Sequence, residues 1–148
     1  MLLVFLSGCG EKEYPPLTIS KGVDICNVCN MSIPDDRNAT QIQLKDGQYF
    51  IFDDIGCHHE WLEQYGDEDI AVQYVRDYHT EEWFEIENAT FVYDESFPTP
   101  MSYGIHMFKD KEEATNFVNE KGTGLIFPFE EFFKHHFTRH VSGDIDKN

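Results

Sequence analysis

Basic side chains are scarce: 11 Lys and Arg stand against 28 Asp and Glu in 148 residues, a formal charge of -17. A surface of that sign repels phosphate backbones, so nucleic acid is not an expected partner, and its field draws cations instead. Signatures of catalysis are missing too. The chain carries no G-x-S-x-G elbow, no phosphate-cradling glycine loop and no H-E-x-x-H pair. The adjacent acids Asp53 and Asp54 read as a helix cap rather than an acid/base pair. The expectation is a protein that binds rather than an enzyme.

Cysteine is also sparse, with four in all, and one of them stands apart. The first residues, MLLVFLSGCG, are apolar up to Ser7-Gly8-Cys9. Small residues directly before a cysteine suit a lipoprotein signal peptidase, which predicts Cys9 as the lipidated first residue of the mature chain. The protein is then expected outside the cytoplasm, held to the cell membrane by a lipid anchor. Cys26, Cys29 and Cys57 remain, and an odd number of thiols cannot all pair within the chain. At least one needs another task.

What is abundant is large apolar surface: 41% of residues are hydrophobic and 13 are Phe. That suffices to offset chain entropy and build one core, or two very small units that share one. In ATQIQLKDGQYFIFDD, Ile42 and Leu44 alternate with polar residues, Asp46-Gly47 is a turn signal, and Tyr49 to Phe52 completes a hairpin. Asp53 and Asp54 then cap a helix over IGCHHEWLEQY, with Ile55, Trp61, Leu62 and Tyr65 on one stripe and Gly66 as the stop. Strands follow in IAVQYVRDY and, as two short pieces, in WFEIENATFVYDE. After the Pro-bearing SFPTPMSYG, the segment IHMF reads as a strand, and Asp110-x-x-Glu113 opens a helix that turns Ala114, Phe117 and Val118 inward and stops at Gly122. GLIFPFEEF is the last strand.

Phe52-Asp53-Asp54 corresponds to Phe108-Lys109-Asp110, Trp61 to Phe117, and Gly66 to Gly122, all at one offset of 56. A repeated strand, helix, strand unit follows. The expected organisation is a signal peptide over 1–8, a lipidated tether over 9–22, a first unit over 23–80, a second over 81–135, and a polar tail over 136–148.

The chemistry concentrates in CNVCNM, where Cys26, Cys29 and Met31 fall within six residues. Thiolate and thioether sulfur are soft ligands that favour Cu(I), whereas zinc sites draw on Cys and His and rarely on Met. Met31 therefore tilts the segment toward copper. Half a zinc knuckle and a redox Cys26/Cys29 pair remain open as alternatives. Cys57 and His58 fall in the first helical turn, where the dipole favours a thiolate. Met101, expected to be exposed between Pro100 and Ser102, and His106 are further candidate ligands, while Met107 reads as core. His135, His136 and His140 read as a solvated face.

Taken in order, the Cys9 box, CNVCNM, FDDIGC, YVRDYHTEEWFEIENATFVYD, PMSYGIHMF and EEATNFVNEKGTGLIFPFEEF resemble the NosL family of lipid-anchored copper chaperones. The resemblance implies an α+β fold of two small ββαβ, treble-clef-like units packed together. It implies Cu(I) binding and delivery of copper for maturation of nitrous oxide reductase, with that enzyme or its maturation transporter complex as partner. Cys29 and Met31 fall on the family's Cys-Gly-Met positions and Met101 on its Pro-Met position. Asn30 stands where Gly is usual, and if that Gly serves a positive φ, Asn is the next most tolerant residue.

Overall fold

The computed structural model describes residues 12–33, 37–132 and 134. Cys9 and the signal segment lie outside them, as do His135, His136, His140 and the tail. Among the described residues no helix is long and apolar enough to cross a membrane.

The chain folds as α+β, with two antiparallel sheets and their helices packed on one shared core. Strand β1 (Thr40–Leu44) pairs with β2 (Tyr49–Phe52) across the Asp46-Gly47 turn, where Gly47 takes φ 97°. Helix α1 (Ile55–Tyr65) follows, and β3 (Ile70–Arg76) returns to pair antiparallel with the other side of β1. A short β4 (Trp83–Glu85) adds to β3, giving the order β2-β1-β3-β4. The second unit repeats the plan. Its central strand β5 (Thr90–Tyr93) pairs with β6 (Ile105–Phe108) and β7 (Leu125–Pro128), with α2 (Lys111–Lys121) between the last two.

The repeat read in the sequence is present in three dimensions: β2 and β6, and α1 and α2, begin and end at positions 56 apart. Both helices start on an aspartate whose carboxylate accepts backbone N–H groups, Asp54 from Gly56 and Asp110 from Glu112 and Glu113. Both end at a glycine with positive φ, Gly66 and Gly122. The units differ in the loop after the central strand. Residues 45–48 make a tight hairpin in the first, whereas residues 94–104 make a long excursion in the second.

Four details depart from the sequence expectations. Tyr65 is 63% exposed, so the α1 stripe ends at Trp61 and Leu62. The final strand stops at Pro128 and a helical turn, α3 (Phe129–Phe132), carries Phe132 back to stack on Phe91 at 4.5 Å. β4 lies beyond the expected boundary at residue 80, yet pairs with β3 of the first sheet. Part of the expected tether is docked: Gln41 brackets Leu17 by accepting from its N–H at 2.7 Å and donating to its C=O at 3.1 Å, and Gln43 donates to Pro15 C=O at 2.7 Å. These bonds are why two glutamines tolerate burial in β1.

The main cluster runs through both units, joining Cys26, Ile42, Phe52, Cys57 and Val75 to Phe91, Met101, Ile105, Met107 and Phe127. A second apolar cluster, Val92, Phe97, Phe108, Ala114 and Phe117, lies under α2.

Candidate metal centre

Three short elements converge on one spot. The knuckle over residues 24–33 closes through an Ile25–Ser32 bridge, with Cys26 N–H donating to Met31 C=O at 2.9 Å and Asn30 N–H to Cys26 C=O at 3.1 Å. Asn30 takes φ 60° to complete the turn, the conformation that Gly serves best and Asn tolerates next. The end of β2 contributes Asp53, and the first turn of α1 contributes Cys57. The sulfurs of Cys26, Cys29 and Cys57 and a carboxylate oxygen of Asp53 all lie within 4.8 Å of one another.

Cys26 and Cys57 are fully buried, Cys29 is partly exposed, and no disulfide joins any of them. The Cys26 thiol is lowered to about 6, chiefly by a hydrogen bond from Cys57, then against the cost of burial by backbone N–H groups of Cys29, Asp53 and Val28. Cys57 moves the other way, pushed up by donating to Cys26 and by burial. Cys29 is pushed up to about 12, mainly by burial, with Cys26 and Asp53 adding to it. The helix-dipole expectation is thus corrected: backbone N–H groups converge on Cys26 and favour its thiolate form, whereas burial and the bond to Cys26 push the Cys57 thiol up despite its place in the first helical turn. Asp53 was not singled out in the sequence as a site residue. Its Oδ2 accepts from the Cys29 thiol at 3.3 Å, and its buried Oδ1 has no hydrogen-bond partner. The Asp pair had been read as a cap, and that role falls to Asp54 alone.

The other candidates sort by position. Met31 is 57% exposed at the lip of the knuckle. Met101 is not exposed as expected but 6% accessible, in the same core cluster as Cys26 and Cys57. The 94–104 loop folds onto the first unit, where Met101 N–H donates to Asp54 Oδ2 at 3.1 Å and Tyr103 OH donates to Glu60. A β-carbon on Gly56 would collide with the Tyr103 ring, so the glycine admits this approach.

His58 is committed elsewhere: Thr40 OH donates to Nδ1 at 2.9 Å and Nε2–H donates to Gln73 Oε1 at 2.7 Å. His106 sits in the second unit, donating from Nδ1 to Asn38 at 3.1 Å, with its ring between Tyr78 and Phe97. Burial lowers both imidazoles to about 4. The structure does not gather either histidine with the sulfurs.

Three sulfurs with one buried thiolate suit a soft monovalent ion, and a carboxylate oxygen gives the same pocket a harder fourth corner.

Comparison with protein families matches the NosL model over residues 16–136. Among solved structures, the chain is similar to one described as the copper chaperone NosL from Shewanella denitrificans, with a TM-score of 0.66, 19% identity, and coverage of 80% of this chain and 97% of that one. At this identity the likeness speaks to the fold. Comparison with curated proteins found no match.

Proposed function

Since the chain belongs to the NosL family, we propose that it is a Cu(I) carrier rather than an enzyme. On this reading it is anchored through a lipidated Cys9 outside the cytoplasmic membrane and hands copper on for maturation of nitrous oxide reductase, to that enzyme or to its transporter complex. The observation that carries the reading is the convergence of Cys26, Cys29 and Cys57, with Met31 exposed two residues after Cys29 in the same knuckle. The similar solved structure is itself described as a copper chaperone, which supports it.

The chemistry is ligand exchange with copper as cargo. Cys26, held as thiolate by N–H groups and buried, is the anchor; Cys57 lies beside it. Cys29 and Met31 face the opening, so an incoming ligand displaces them first and the anchor last. Low coordination keeps that exchange fast. Met101 reaches the same core from the 94–104 loop and is the candidate to close the site from within.

Asp53 favours a second reading, a zinc-stabilised binding module, because a three-thiol, one-carboxylate set is a tetrahedral zinc donor set. Anaerobic competition titration of the reduced protein with Cu(I) and Zn(II), repeated on Met31→Leu, separates the two. The carrier predicts stoichiometric Cu(I) binding that weakens in the variant. Zn(II) displacing Cu(I) from the cysteines, with Met31→Leu indistinguishable from the parent, would leave the zinc module.

A further inference from the structure

The hydrogen-bond pattern of the Cys26 knuckle occurs twice. Where Ile25 bridges Ser32, Arg76 pairs with Trp83 in the β3–β4 hairpin, 51 positions later. Cys26 N–H to Met31 C=O at 2.9 Å becomes Asp77 N–H to Glu82 C=O at 2.9 Å. Asn30 N–H to Cys26 C=O becomes Glu81 N–H to Asp77 C=O, and Glu81, like Asn30, takes φ 60°. A non-glycine residue in that conformation is uncommon, and two at matching places mark one turn used twice.

The side-chain acceptors match as well. Cys26 sulfur takes N–H groups from Val28, Cys29 and Asp53. Their counterparts His79 and Thr80 donate to Asp77 Oδ1 at 3.0 and 2.8 Å, and Lys109 donates to Asp77 Oδ2 at 2.8 Å. Cys29 sulfur, whose proton goes to Asp53, lies beside Cys26 and accepts from Met31 N–H. Thr80 hydroxyl bonds Asp77 at 3.1 Å and accepts from Glu82 N–H at 3.3 Å. The place of Cys57 in α1 is taken in α2 by Glu113, which has turned outward to pair with His79 at 3.3 Å.

We infer that the β3–β4 hairpin, which leads into the second unit and is tied to it at Lys109, is a metal-free copy of the metal knuckle, in which the Asp77 carboxylate stands where Cys26 sulfur stands before the first. Soft-metal binding is therefore confined to one unit, and the second closes its knuckle through hydrogen bonds alone. Asp77 is a positioning residue: it fixes the β3–β4 hairpin against the start of α2 and so supports the unit that extends Met101 toward the first site. Fully engaged by four donors, it has little capacity left for an ion of its own.

Asp77→Cys, Thr80→Cys and Glu113→Cys together place three thiols at the positions of Cys26, Cys29 and Cys57. With Co(II) as probe, this triple variant is expected to take up one more thiolate-bound equivalent per chain than the parent, read from sulfur-to-cobalt charge-transfer absorption. Because the readout is the increment, it holds even if the copper reading of the first site fails. A folded triple variant with no increment would overturn the inference. Asp77→Asn gives an arm that does not depend on three new thiols. An amide nitrogen cannot accept from Lys109 N–H, so hydrogen exchange at Lys109 in the metal-free full chain should rise by about tenfold or more. Unchanged protection at Lys109, His79 and Thr80 would show that the carboxylate does not organise the turn.

Discussion

Met101 N–H donates to the buried Asp54 carboxylate at 3.1 Å, fastening the long loop of the second unit to the N-cap of α1. The same carboxylate caps Gly56 N–H at 2.8 Å, one residue before Cys57. A single side chain thus aligns the Met101 loop with the helix start that carries a site cysteine. Asp54→Ala should cost about 2–3 kcal/mol, from the lost cap and the lost hydrogen bond to the Met101 amide, and urea denaturation of the metal-free protein measures it. A loss below about 0.5 kcal/mol would show that the loop is held by other contacts.

The Gly56–Tyr103 approach gives a second prediction. Gly56→Ala forces the Tyr103 ring aside and should destabilise by about 1–3 kcal/mol despite the better helix propensity of Ala. Combining it with Tyr103→Leu should restore most of that loss, so the two changes should be strongly non-additive in a double-mutant cycle.

At Asn30 the backbone φ of 60° separates three residues by their tolerance of the left-handed region. Asn30→Gly should leave stability and metal affinity close to the parent, whereas Asn30→Val should cost about 1–2 kcal/mol by forcing a β-branched side chain into the left-handed region. Equal stability of all three would remove the turn from the account.

Acid should weaken the fold through its buried imidazoles. His58 and His106 are neutral in the folded chain down to about 4, while the unfolded chain takes up protons near 6.5. Their contribution is complete above 6.5 and is lost as pH falls toward 4, on the order of 3 kcal/mol for each. Urea midpoints followed across that window should fall, and His106→Phe, set among Tyr78, Phe97 and Phe117, should flatten the slope by about one proton.

Much of this was legible in the chain. Asp46-Gly47, the capping aspartates Asp54 and Asp110, and Gly66 and Gly122 are local signals whose physics is local, and they placed the hairpin, both caps and the 56-residue repeat. Asn30 at a positive φ was also foreseeable, since so few residues tolerate it. The remainder depends on long-range packing. Met101 looked like a loop residue because nothing near it in sequence shows that Asp54 will receive its amide. The assignment of the thiolate went to the helix because the dipole can be read locally, while the N–H groups of Val28, Cys29 and Asp53 converge on Cys26 only after folding. Asp53 escaped notice for the same reason: adjacent aspartates before a helix look alike, and only the fold gives one to the cap and one to the sulfurs. A signal for the second knuckle was present, in an aspartate and threonine three residues apart, but thiol motifs draw attention by their rarity and carboxylates do not.

Whether the cargo sits on sulfur is read by X-ray absorption at the copper edge on the full chain loaded anaerobically with one equivalent of Cu(I). The account predicts a first shell of two or three sulfurs without imidazole scattering, and loss of that shell in Cys26→Ser. A shell dominated by nitrogen, or one unchanged in Cys26→Ser, would contradict it and move the copper away from the buried cysteines.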